Sequence, residues 1–97
     1  MIIVHDIFIC KPGNASKLAK KFKEAMALGG EKVSIMTDMT GQFNRVIMVS
    51  KYESLAAYEK NWEKYTANTE EMKKMTEAMS GYQDMYQTGL REIYHSV

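Results

Sequence analysis

Residues 2–10, IIVHDIFIC, are apolar on both parities, with Ile3, Ile7 and Ile9 on one and Val4, Phe8 and Cys10 on the other. Such a run predicts a central strand covered on both faces. Lys11-Pro12-Gly13 ends it, because proline donates nothing to a sheet ladder and glycine frees the turn. Asn14 then stands as a helix cap, and Leu18, Phe22, Ala25 and Met26 recur at helical spacing until Gly29-Gly30. Val33, Ile35, Thr37 and Met39 alternate through a second strand over 32–40. A loop near Thr40–Asn44 returns the chain into a third strand, 45–51, as an antiparallel hairpin.

Ser54 is a good N-cap for a second helix whose apolar face is Leu55, Tyr58, Trp62 and Tyr65, then Met72, Met75 or Thr76, and Met79. Asn68-Thr69-Glu70-Glu71 has the form of a capping box, so the helix is expected to break or bend there and restart. Gly81 and Gly89 bracket a linker, and Leu90–His95 reads as the last strand. The order is β-α-β-β-α-β in a single domain, 1–97, an α+β sandwich. Two helices cover one face of a four-stranded sheet, yet the strands are apolar on both. The uncovered face is expected to meet a second copy by two-fold symmetry, giving a homodimer joined through its sheet faces.

Composition adds limits. Thirteen basic and twelve acidic residues leave a net charge of +1, and the nearest thing to a one-sided basic excess is Lys17, Lys20, Lys21 and Lys23 on the first helix. These four read as a solvated face, so neither nucleic acid nor a membrane is an expected partner. Cys10 is the single cysteine; inside an apolar strand it reads as a small buried hydrophobe. The apolar start is too short to span a bilayer, carries His5 and Asp6, and lacks the features of a signal peptide, so the expectation is an intact cytoplasmic product.

His5 and Asp6 are the polar pair of the first strand. Adjacent strand residues point to opposite faces, so the two do not form one dyad. Each needs a partner when buried. Two histidines, His5 and His95, with one cysteine make no metal site, for which zinc takes three or four ligands. Tyr58, Trp62 and Tyr65 form an aromatic stripe, and nine methionines favour an adaptable core or a forgiving pocket. Phosphate loops, nucleophile elbows and catalytic triads are absent.

Lys11-Pro12-Gly13, then Gly41, Asn44, Val46, Tyr52, Ser54, Leu55 and Glu59, and the strand Leu90–Tyr94, carry a resemblance over nearly the full chain. The chain resembles the NIPSNAP-type proteins of the dimeric α+β barrel superfamily, which implies a ferredoxin-like fold with its last strand beside the first. Met48 and Ser50 stand where that family often has His and Trp. The superfamily also includes cofactor-independent antibiotic-biosynthesis monooxygenases and heme-degrading monooxygenases. Asp6 falls at the polar first-strand position of the heme-degrading group, and Trp62 lies near its tryptophan. No His lies between His5 and His95, so the proximal ligand is missing and no cofactor is expected; Asn61 stands near where the antibiotic-type enzymes often have His.

The resemblance further implies a cavity between the second helix and the sheet. The expected site is Asp6, Tyr58, Trp62 and Tyr65 around a small hydrophobic molecule. The alternative is a monooxygenase acting on a phenolic or polycyclic substrate, with Asp6 or His5 taking the proton.

Overall fold

A computed structural model describes residues 1–30, 32–41 and 43–97. Its elements are β1 (Ile2–Cys10), α1 (Ala15–Leu28), β2 (Ser34–Thr37), β3 (Arg45–Tyr52), α2 (Leu55–Glu63), α3 (Glu70–Ala78) and β4 (Tyr86–His95), with 3-10 turns at Lys64–Thr66 and Tyr82–Asp84. The four strands form one sheet in the order β2-β3-β1-β4, antiparallel throughout. This is the ferredoxin-like α+β arrangement, with the last strand beside the first.

Register divides the sheet into two faces. Even-numbered residues of β1 look toward the helices: Asp6 stands opposite Met48 and Arg91, and Phe8 opposite Val46. Helix α1 buries Leu18, Phe22, Ala25 and Met26 against this face, the stripe that 3.6-residue periodicity requires. Burying a side chain such as Leu18 or Phe22 contributes about 1.5–3 kcal/mol. The core falls into two clusters. Cys10, Leu18, Phe22 and Val46 make one; Met26, Met72 and Met75, with Val33, Met48 and Tyr65, make the other. The Met75 side chain of α3 packs against Gly29 at the end of α1, where an added Cβ would require that side chain to shift.

The odd-numbered face holds Ile3, His5, Ile7 and Ile9 with their cross-strand partners Lys51, Val49, Ile47, Tyr94, Glu92 and Leu90. Met36, Leu90 and Tyr94 are 43%, 49% and 46% exposed, so apolar surface remains in water there.

Several boundaries differ from those the sequence predicts. The second strand is confined to Ser34–Thr37 rather than 32–40. The Asp38 carboxylate takes the Arg45 N–H at 2.7 Å, a side-chain bond where a ladder bond would stand, and Met39 is 97% exposed. The expected loop at 40–44 includes residue 42, outside the described residues. Asn14 occupies the N-cap of α1 without a side-chain capping bond, because its backbone is already near-helical (φ −102°, ψ −10°). Ser54 does cap α2, accepting the Ala57 N–H at 3.1 Å.

The helix break falls where expected, but Thr69 rather than Asn68 caps α3, accepting the Met72 N–H at 3.3 Å. The last strand begins at Tyr86 instead of Leu90, so Gly89 pairs with Phe8 inside it. An added Cβ there would lie 2.8 Å from the Ile7 carbonyl oxygen, which is why a glycine sits mid-strand rather than in a linker. Among the described residues no helix is long and apolar enough to cross a membrane.

Candidate ligand site between sheet and helix

Helix α2 stands off the sheet and leaves a cavity of about 340 Å³ between the two core clusters. The sheet supplies Asp6, Phe8, Met48, Ser50, Tyr52 and Arg91; Phe22 and Met26 of α1 and Tyr58, Asn61, Trp62 and Tyr65 close the sides. This volume lies within the range of small-molecule pockets. All four residues of the expected ligand site, Asp6, Tyr58, Trp62 and Tyr65, line it.

Helical spacing places the aromatic side chains. Tyr58, Trp62 and Tyr65 are four and three residues apart, and their rings run in sequence with centroids at 6.2 Å and 5.4 Å. Tyr52, at the end of β3, extends the row, 5.1 Å from Tyr58 in an edge-to-face contact. Trp62 and Leu55 are less buried than an apolar-face reading predicts: no residue of α2 is buried, Trp62 faces the cavity, and Leu55 at the start of the helix is exposed to solvent outside it.

Polar groups gather at one end. Arg91 Nε donates to Asp6 Oδ1, and the guanidinium lies 5.0 Å from the Trp62 ring centroid, a cation–π contact. Burial opposes the Arg91 charge, but the hydrogen bond that Arg91 donates to Asp6 and the negative charge of that carboxylate outweigh it and hold the guanidinium above its ordinary pKa. Asn61 Nδ2 donates to Tyr52 Oη at 3.1 Å. Tyr58 Oη is buried and has no hydrogen-bond partner among the described residues. A buried hydroxyl in that state is uncommon and calls for a partner.

His5 is not part of this site. It lies on the odd-numbered face, its ring 5.3 Å from that of Tyr94, as the alternation within β1 requires. Cys10 is buried, and burial first, then the Asp38 charge, push its thiol pKa up, away from a reactive thiolate. Among the described residues no three His, Cys, Asp or Glu side chains converge as metal ligands.

Sequence reasoning missed Arg91. The signal was present: an acid in an apolar strand needs a cation, and Arg91 is the cation of β4 that register sets opposite Asp6. Met48 and Ser50, where the resemblance implies His and Trp, also line the cavity.

Comparison with known proteins agrees with the fold. The family model described as NIPSNAP matches residues 7–94. An uncharacterized NIPSNAP domain protein from Burkholderia xenovorans is 11% identical with a TM-score of 0.78, over 100% of this chain and 95% of that one. A NIPSNAP family protein from Agrobacterium tumefaciens is 14% identical at a TM-score of 0.75, over 99% and 92%. A putative antibiotic biosynthesis monooxygenase from Nitrosomonas europaea is 10% identical at a TM-score of 0.67, over 100% and 99%. At these identities the solved structures establish the fold alone. No curated protein matches the chain.

Proposed function

The chain belongs to the NIPSNAP family, and from that premise we propose that it is a homodimer binding a small, largely apolar aromatic molecule in the cavity between α2 and the sheet. The observation that carries this reading is the Tyr58 hydroxyl, buried and unpartnered among the described residues at the wall of an aromatic-lined space. In water that hydroxyl would keep its hydrogen bonds; leaving it dry costs about 1–3 kcal/mol. A ligand oxygen at Tyr58 supplies the missing bond, and the rings of Tyr52, Trp62 and Tyr65 supply faces for a planar molecule.

The dimer rests on the odd-numbered sheet face. Ile3, Ile7, Ile9, Ile47, Val49 and Leu90 lie on it together, and a second copy related by two-fold symmetry offers the same surface in return.

Binding is favoured over a cofactor-independent monooxygenase. That reaction requires a base within reach of the substrate proton. Asp6 is engaged by Arg91, and His5 lies on the other side of the sheet.

Trp62, the chain's one tryptophan, reports on the cavity through its fluorescence. Titration with 1-naphthol is expected to quench its emission saturably at one molecule per chain. Tyr58→Phe is expected to leave the melting temperature unchanged or raised, since it deletes an unsatisfied group, and to weaken the phenol by about 1 kcal/mol, or about fivefold. Equal affinity in both proteins would sink the role of Tyr58; no saturable quenching in either would sink the reading.

A further inference from the structure

A second space adjoins the cavity. The cover of the sheet is interrupted twice, at the 3-10 turn Lys64–Thr66 and at the turn Tyr82–Asp84. Between these interruptions an open groove of about 980 Å³ runs along α3. Its apolar lining is dominated by methionine: Met26 from α1, and Met72, Met75 and Met79 from α3 and its end. Met26, Tyr65, Met79 and Tyr82 border both the groove and the inner cavity. Half of that shared wall is therefore methionine, an unbranched side chain that repacks around what it meets.

The charged pair and the unpartnered hydroxyl of the inner cavity lie away from one of its ends. Tyr52 pairs with Ile2 at the start of β1, the Tyr58 ring packs on Tyr52, and Arg91 pairs with Asp6 at the middle of the strand. Toward the end of β1 the walls are Phe8, Phe22, Tyr82 and Tyr86, whose rings pack on one another at 4.8–6.2 Å. Tyr82 belongs to this apolar end and also to the groove. A molecule with its oxygen at Tyr58 thus has its apolar end directed at the methionines.

We infer, on the footing of the cavity reading, that the ligand is a ring–chain amphiphile: a phenolic or quinonoid ring at the polar end, with a neutral, flexible apolar chain lying along the methionine groove. Charge at the groove selects the kind of chain. Glu77 and Asp84 line it, and no basic residue does among the described residues. A chain ending in a carboxylate would meet two acids, so a neutral hydrocarbon end is favoured over a dicarboxylic or fatty-acid end. At the other end Arg91 is already engaged by Asp6, which leaves Tyr58 to meet a neutral oxygen.

The test is calorimetric titration of the full chain with phenol and its 4-propyl, 4-pentyl and 4-heptyl derivatives. Affinity is expected to rise about threefold to fourfold for each added methylene, the increment for burying a CH2 group, at a constant one molecule per chain. Ser80→Tyr places a ring in the groove and not in the inner cavity; it is expected to keep the affinity for 4-propylphenol and to lose most of the gain from propyl to heptyl. A short phenol that binds with no gain along the series overturns the chain while leaving the cavity reading intact. A gain that persists in Ser80→Tyr likewise overturns the groove as its location. If no phenol of any length binds, the cavity reading falls and the inference with it.

Discussion

Asp6 and Arg91 face one another across the antiparallel ladder of β1 and β4, and the guanidinium Nε donates to the carboxylate. This pair settles what the lone acid of the first strand does in the resting protein. Its carboxylate orients Arg91, and Arg91 in turn lies on the face of Trp62 at 5.0 Å. The acid thereby positions an aromatic wall of the cavity.

The pair is partly screened, since the Arg91 side chain is 45% exposed and that of Asp6 15%. Its contribution should therefore fall near about 1 kcal/mol, well below that of a fully buried pair. Asp6→Asn is expected to lower the melting temperature by about 4–8 °C, the shift that ~1 kcal/mol gives in a domain of this size. A double-mutant cycle with Arg91→Gln should return a coupling of similar size. Additive single-mutant effects would count against the pair as a stabilising contact.

Gly89→Ala is expected to destabilise more than its size suggests. The new methyl would stand 2.8 Å from the Ile7 carbonyl oxygen, and backbone on both sides must move to admit it. Overpacking of this kind costs about 1–3 kcal/mol. Denaturant unfolding measures it; a midpoint equal to that of the parent chain would show that the ladder between β1 and β4 has room there.

On the open sheet face, Leu90→Lys should disrupt self-association and leave the cavity unchanged. Leu90 lies opposite Ile7, which lies opposite Ile47, so a charge at this position enters the middle of an apolar row. Light scattering is expected to give twice the 11.1 kDa chain mass for the parent and the single mass for the variant. A parent protein that scatters as a monomer at micromolar concentration would remove the dimer from the account.

Much of the fold was legible because burial imposes periodicity. The apolar run of β1, the Leu18-Phe22-Ala25-Met26 stripe and the Ser54 cap each follow from one local rule; the structure places β1 inside the sheet with its even-numbered face under the helices, and the stripe and the cap as expected. The errors fall where a non-local contact overrides local preference. Asp38 shortens β2 by reaching back to Arg45 N–H across the hairpin. Gly89 reads locally as punctuation, but the nearness of the Ile7 carbonyl makes it a strand residue. The aromatic half of the site was readable because Tyr58, Trp62 and Tyr65 share a helix. Arg91 was not read, because its importance depends on a pairing with a residue 85 positions away.

Backbone amide NMR of the full chain during titration with 1-naphthol tests the central claim most directly, since it locates the molecule as well as detecting it. The largest shift changes are expected around Asp6, Met48, Tyr58, Trp62, Tyr65 and Arg91, saturating together at one molecule per chain. Changes centred on Ile47, Val49 and Leu90 of the open sheet face, or none at saturating 1-naphthol, would contradict it.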